Sequence, residues 1–119
     1  MSLCEGDIFA LDPRELVRRI DAGELDRVEM TWAGEALAFV DPSIAVPCLV
    51  RMLAHPEALA REGALIGLGA QLPEAALDAL DRVAESDPCV VCEMPVLREM
   101  AREIAAEIRQ ARCPNVPTR

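Results

Sequence analysis

Residues 41–73 read Asp41-Pro42-Ser43-Ile44-Ala45-Val46-Pro47-Cys48-Leu49-Val50-Arg51-Met52-Leu53-Ala54-His55-Pro56-Glu57-Ala58-Leu59-Ala60-Arg61-Glu62-Gly63-Ala64-Leu65-Ile66-Gly67-Leu68-Gly69-Ala70-Gln71-Leu72-Pro73, and this stretch decides the fold. Asp41 is a good helix N-cap and Pro42 suits the first helical position, where its missing N–H costs nothing. Val46, Leu49, Val50 and Leu53 then recur at helical spacing as far as His55-Pro56. Pro56 starts a partner helix over about 57–70. That helix carries Gly63 and Gly67 four residues apart, each costing up to about 1 kcal/mol against Ala. The pair would let a neighbouring helix approach closely, and Gly69 would serve as the helix stop.

The same device recurs on both sides. Asp12-Pro13 and Leu72-Pro73 lie 29 and 31 residues from Asp41-Pro42. Each opens a short apolar-periodic segment followed by a turn and a second segment. Units of this size that cannot bury their own apolar faces must lean on their neighbours. The expectation is an all-α chain, a short α-solenoid of about three antiparallel helix pairs over 12–111. Residues 1–11 form a leader folded back on the first pair, and 112–119 an irregular tail.

In the first pair, Leu16, Val17 and Ile20 mark a helix ending at Ala22-Gly23. A second helix over about 24–39 presents Leu25, Val28, Trp32, Ala36 and Phe39 as a core-facing stripe. In the third, Ala76, Leu77, Leu80, Val83 and Ala84 lead to Ser86. Asp87-Pro88 then repeats the cap and proline before a helix to about 111, with a break near Cys92–Met94 imposed by Pro95.

Residues 47–69 resemble a HEAT-type repeat of the short bacterial variety. An amphipathic helix and a turn containing His55-Pro56-Glu57 precede Arg61-Glu62-Gly63-Ala64-Leu65 and Leu68-Gly69, which follow the family's apolar-Arg-x-x-Ala-x-x-x-Leu-Gly string. Thirty-one residues on, Cys92 and Pro95 stand where Arg and Ala would; thirty-one back stand Met30 and Ala33. The resemblance implies stacked helix pairs whose second helices line a face that grips another protein.

Charge narrows the partners. The 119 residues contain 12 basic residues, all Arg, against 21 acids, for a net charge of −9. Nucleic acid and anionic membranes would meet a repulsive field. Residues 1–41 hold −6 and residues 88–119 hold +1. A protein with a basic or mixed surface would be steered to the first two pairs. No apolar run approaches the roughly 20 residues of a membrane helix, and Met1-Ser2-Leu3-Cys4-Glu5 has no basic flank, which makes the cytoplasm the expected location.

The sequence offers no catalytic constellation and calls for no cofactor. His55 is the only histidine, and the carboxylates fall at the spacings of solvated helix faces. Cys89-Val90-Val91-Cys92, read as a helix start, would lower a thiolate pKa through the free amides there. It could act as a redox pair or hold a soft metal, although two further ligands at paired spacing are lacking. The expected function is a non-enzymatic interaction module, an adaptor or an immunity or antitoxin protein, with a thiol sensor or metal-binding accessory as the alternative. The partner-contacting candidates are Glu29, Glu35, Arg61 and Glu62 on second helices. Trp32 is a core anchor if it faces inward and the centre of a binding patch if exposed. Pairing of an uncapped solenoid end would give a homodimer.

Overall fold

A computed structural model describes residues 3–112, and the expected irregular segment 113–119 lies outside them. The described residues form seven α-helices: α1 (Glu5–Ala10), α2 (Pro13–Asp21), α3 (Arg27–Leu37), α4 (Pro42–Met52), α5 (Ala58–Gln71), α6 (Leu77–Ser86) and α7 (Val96–Arg112). A 3₁₀ turn, Glu74–Ala76, precedes α6.

Local chemistry explains most of the boundaries. Asp12 and Asp41 accept the amides of Arg14 and Ser43, with Pro13 and Pro42 at the first helical positions. Gly23 follows the end of α2 at φ 71°, a left-handed conformation glycine adopts without strain. α3 starts at an unforeseen capping box in which Asp26 accepts the Glu29 amide and Glu29 accepts the Asp26 amide. Three expected boundaries move. α5 begins after Glu57, not at Pro56, and runs through Gly69 to Gln71, with Leu72 at a left-handed φ of 51° as its cap. Leu72-Pro73 leads into the 3₁₀ turn before α6 starts. Asp87-Pro88 opens no helix: residues 87–95 are non-helical, and α7 starts directly after Pro95. A proline is tolerated at a helix start but not seven residues inside, so the chain begins the helix where Pro95 costs nothing.

Helices pack with their chain neighbours and with the next helix but one. α2 touches α3, α4 touches α5 and α6 touches α7; α2 also lies on α4, α3 on α5 and α5 on α7. α1 packs on α3, where Ile8 is fully buried. The core joins Leu16, Met30, Leu37, Leu49, Leu65, Leu68, Leu80 and Ile108 in one cluster.

At the α3/α5 crossing the two backbones approach too closely for a side chain to stand between them. A Cβ built on Gly34 would fall 2.2 Å from the Gly63 carbonyl group, and one on Gly67 would fall 2.7 Å from the Gly34 oxygen. Gly63 and Gly67 therefore do what their spacing predicts, with Gly34 as their counterpart. Thr31 Oγ1 donates to the Leu59 carbonyl across the same seam at 2.9 Å.

Candidate functional site

α3 turns its glycine-bearing side toward α5, and that leaves Val28 and Phe39 exposed. Met30, Ala33, Gly34 and Leu37 are buried, as is Ala36. Leu25 and Trp32 are half-buried against the core, and Val28 and Phe39 are exposed, Phe39 to 83%. Of the expected inward stripe, Ala36 is buried and Leu25 and Trp32 pack on the core, while Val28 and Phe39 are corrected to the exposed side, which Glu35 shares. Backbone approach at Gly34 and Gly63 is worth more than turning two larger residues inward, because a helix with a Cβ at the crossing could not come so near.

Phe9, 43% exposed on α1, lies beside Phe39 with ring centroids 6.5 Å apart and planes at 49°. This is within the range of favourable tilted aromatic pairs. The turn carrying Phe39 is fixed: Gln71 Nε2 at the end of α5 donates to the Leu37 and Val40 carbonyls, both at 2.8 Å. The result is a fixed Phe9–Phe39 pair on two elements that also carry the exposed acids Glu5 and Asp7 (α1) and the half-buried Glu35 (α3).

The other candidates separate. Glu29 is buried and binds the Leu3 amide at 2.6 Å and the Asp26 amide at 2.9 Å, so its carboxylate ties α1 to the start of α3. Arg61 is also buried. Its Nε and Nη2 bind Asp87 in a bidentate pair at 2.6 and 3.2 Å, and Nη1 donates to the His55 and Pro56 carbonyls. Both residues face inside the protein, away from any partner. Trp32, Glu35 and Glu62 retain partial exposure.

Cys89 and Cys92 sit in the 87–95 loop, half-buried and exposed respectively, both as free thiols. Without a helix start there, the proposed dipole activation of a thiolate loses its basis. Among the described residues no group of three or more His, Cys, Asp or Glu is placed to hold a metal. Cys48 is buried in α4, which pushes its thiol up to about 11.

A cleft of about 410 Å³ between the α4–α5 turn and α6 includes His55, Arg61, Ser86 and Asp87 in its lining. His55 Nδ1 accepts the Glu57 amide, and the Ser86 hydroxyl donates to the Arg82 carbonyl. Neither side chain is arranged as the other's nucleophile or base.

The described residues form an all-α fold that presents the exposed Phe9–Phe39 pair beside half-buried Trp32. No helix among the described residues is long and apolar enough to cross a membrane. Compared with known proteins, the chain matches no family model, no curated protein and no solved structure. Sequence reasoning missed Phe9 and Phe39 as a surface pair. The available signal was the place of Phe39, just before Asp41-Pro42 and beyond the last residue that α3 could bury.

Proposed function

We propose that this chain is a short HEAT-like α-solenoid acting as a non-enzymatic protein-interaction module. It would serve as an adaptor or an immunity or antitoxin protein, and its partner is another protein with a basic or mixed surface. The observation that carries the reading is the stripe Val28, Trp32, Phe39 and Phe9, apolar and exposed or half-buried, beside Glu35, Glu5 and Asp7. Aromatic anchors among acids favour an apolar segment flanked by Arg or Lys, since aromatics dominate interface energetics and rim charges set steering and specificity. The fixed turn at Phe39 reduces the ordering cost of binding. The solenoid reading is supported by neighbour-to-neighbour packing in chain order and by dimensions of 55 × 34 × 20 Å, elongated in one direction. Affinity capture at low and high salt tests the proposal. The wild type retains a salt-sensitive protein that Phe39→Ser and Glu35→Arg lose; equal recovery by all three removes the stripe from the account.

A further inference from the structure

The cleft between the α4–α5 turn and the end of α6 is formed by the two segments that Arg61 holds. Its volume is about 410 Å³, within the range of roughly 300–1,000 Å³ that small-molecule sites occupy. Val50, Leu53, Ala79 and Val83 give it aliphatic walls. On the side of the turn, Arg61 Nη1 donates to the His55 and Pro56 carbonyls at 2.9 and 3.0 Å; on the side of α6, its Nε and Nη2 bind Asp87. A buried ion pair thus ties the two sides together, so the cleft is preformed and a ligand need not pay to order it.

The ionisable side chains of the lining are His55, Arg61, Arg82 and Asp87. Arg61 and Asp87 neutralise each other at 2.6 Å. Arg82 is exposed, and among the described residues its guanidinium makes no hydrogen bond or ion pair. None of the acids along α6 is paired with it: Asp81 accepts from Arg109 at 2.7 Å, Glu85 lines a separate groove with Arg98 and Arg102, and the exposed Asp78, one turn back, lies outside the lining. Glu57, at the start of α5, lies outside it as well. The cleft therefore keeps one positive charge that the protein itself does not use. His55 adds a donor, because its Nδ1 accepts the Glu57 amide at 3.0 Å and the proton of the neutral ring then sits on Nε2.

We infer that this cleft is a binding site for a small monocarboxylate with an apolar body. The carboxylate meets the Arg82 guanidinium and the Nε2–H of His55, and the body lies against Val50, Leu53, Ala79 and Val83. A cationic ligand finds no free acid here, since Asp87 is bidentate with Arg61 and also accepts the Cys89 amide. A polyanion would bring more charge than one arginine matches and would leave the aliphatic walls unused. The site is separate from the α3 stripe and does not depend on it.

The experiment is a titration of the full chain with phenylacetate up to about 10 mM, followed by backbone amide NMR shifts. Saturable shifts are expected at residues 53–56, 79 and 82–86, with a Kd below about 1 mM. Phenylacetamide, which keeps the shape and lacks the charge, and acetate, which keeps the charge and lacks the ring, each bind about fivefold or more weakly. Arg82→Gln removes the unpaired charge, and Ala54→Glu sets a carboxylate in the lining; both lie at exposed positions and weaken phenylacetate about fivefold or more. Phe39→Ser binds phenylacetate as the wild type does, which keeps this result apart from the fate of the α3 reading. Absence of saturation, shifts centred elsewhere, an amide that binds as well as the acid, or unchanged binding by Arg82→Gln overturns the inference. The amide spectra of the variants themselves check that each is folded.

Discussion

Arg61 on α5 and Asp87 at the end of α6 form a buried bidentate ion pair, 2.6 Å at its shorter contact, which joins the middle of the protein to its last helix pair. The remaining Arg61 nitrogen binds the two carbonyls of the α4–α5 turn, and Asp87 holds the Cys89 amide. One salt bridge thereby fixes a turn, a helix end and the start of the 87–95 loop.

Asp87→Ala leaves a buried guanidinium without its carboxylate, which costs about 3–5 kcal/mol. Urea unfolding is expected to show a loss in that range. Arg61→Met combined with Asp87→Leu should recover more than half of it, since the unpaired charge disappears.

The glycine seam makes opposite predictions for neighbouring positions. Gly34→Ala places a methyl 2.2 Å from backbone that cannot move independently, and α3 and α5 must separate. The loss is about 3 kcal/mol even after the gain in helix propensity of up to about 1 kcal/mol. Gly69→Ala meets only the Ile104 side chain at 3.5 Å, so propensity wins and stability rises by up to about 1 kcal/mol. Thermal melts of both variants check the contrast in sign.

These particulars show what the sequence made legible. Asp12-Pro13 and Asp41-Pro42 were readable because a cap and a proline act on the amides of the next turn, wherever the rest of the chain lies. Gly63 and Gly67 were readable as a close approach, but their partner Gly34 was not, since which helix comes near is a tertiary fact. The exposure of Val28 and Phe39 was not readable for the same reason, whereas Ala36, Leu25 and Trp32 lie against the core as their spacing predicts. Ala33 and Gly34 carry little hydrophobicity, yet closeness at the seam depends on them, while Val28 and Phe39 carry much and are left outside. Glu29 and Arg61, chosen as surface charges from their helix positions, are buried because each finds partners far along the chain, Leu3 and Asp87.

Glu29→Ala removes two charge-assisted hydrogen bonds, to Leu3 and Asp26, each worth about 1.5–3 kcal/mol. Only the first ties α1 down. Hydrogen exchange is expected to accelerate selectively in residues 5–10, with α5 and α7 changing by no more than the global loss of stability.

Acid acts on α2 through Glu15. The Arg18 guanidinium, and after it Arg19, holds this carboxyl down to about 2, against an ordinary 4.5. A depressed folded-state value means that its stabilising contribution is fully present above about pH 4.5 and is lost as pH falls through about 2. In Glu15→Gln the melting temperature should vary less with pH across that window than in the wild type. Equal slopes would contradict the assignment.

Gln71→Ala tests whether the Phe39 turn needs its frame. The variant frees the Leu37 and Val40 carbonyls without touching the exposed aromatic face. Partner affinity in a titration should fall several-fold while Phe9 and Phe39 remain in place. Gln71→Glu, which cannot donate, should behave like the alanine variant.

We propose that the outer face of α3 grips a protein. The most direct measurement of this is photo-crosslinking in source cells from a benzoylphenylalanine at position 39, with the same group at the exposed position 107 on α7 as control. A discrete adduct is expected from position 39, reduced by Glu35→Arg in the same chain, and none of that mass from position 107. No adduct from position 39, or the same adduct from both positions, would contradict it.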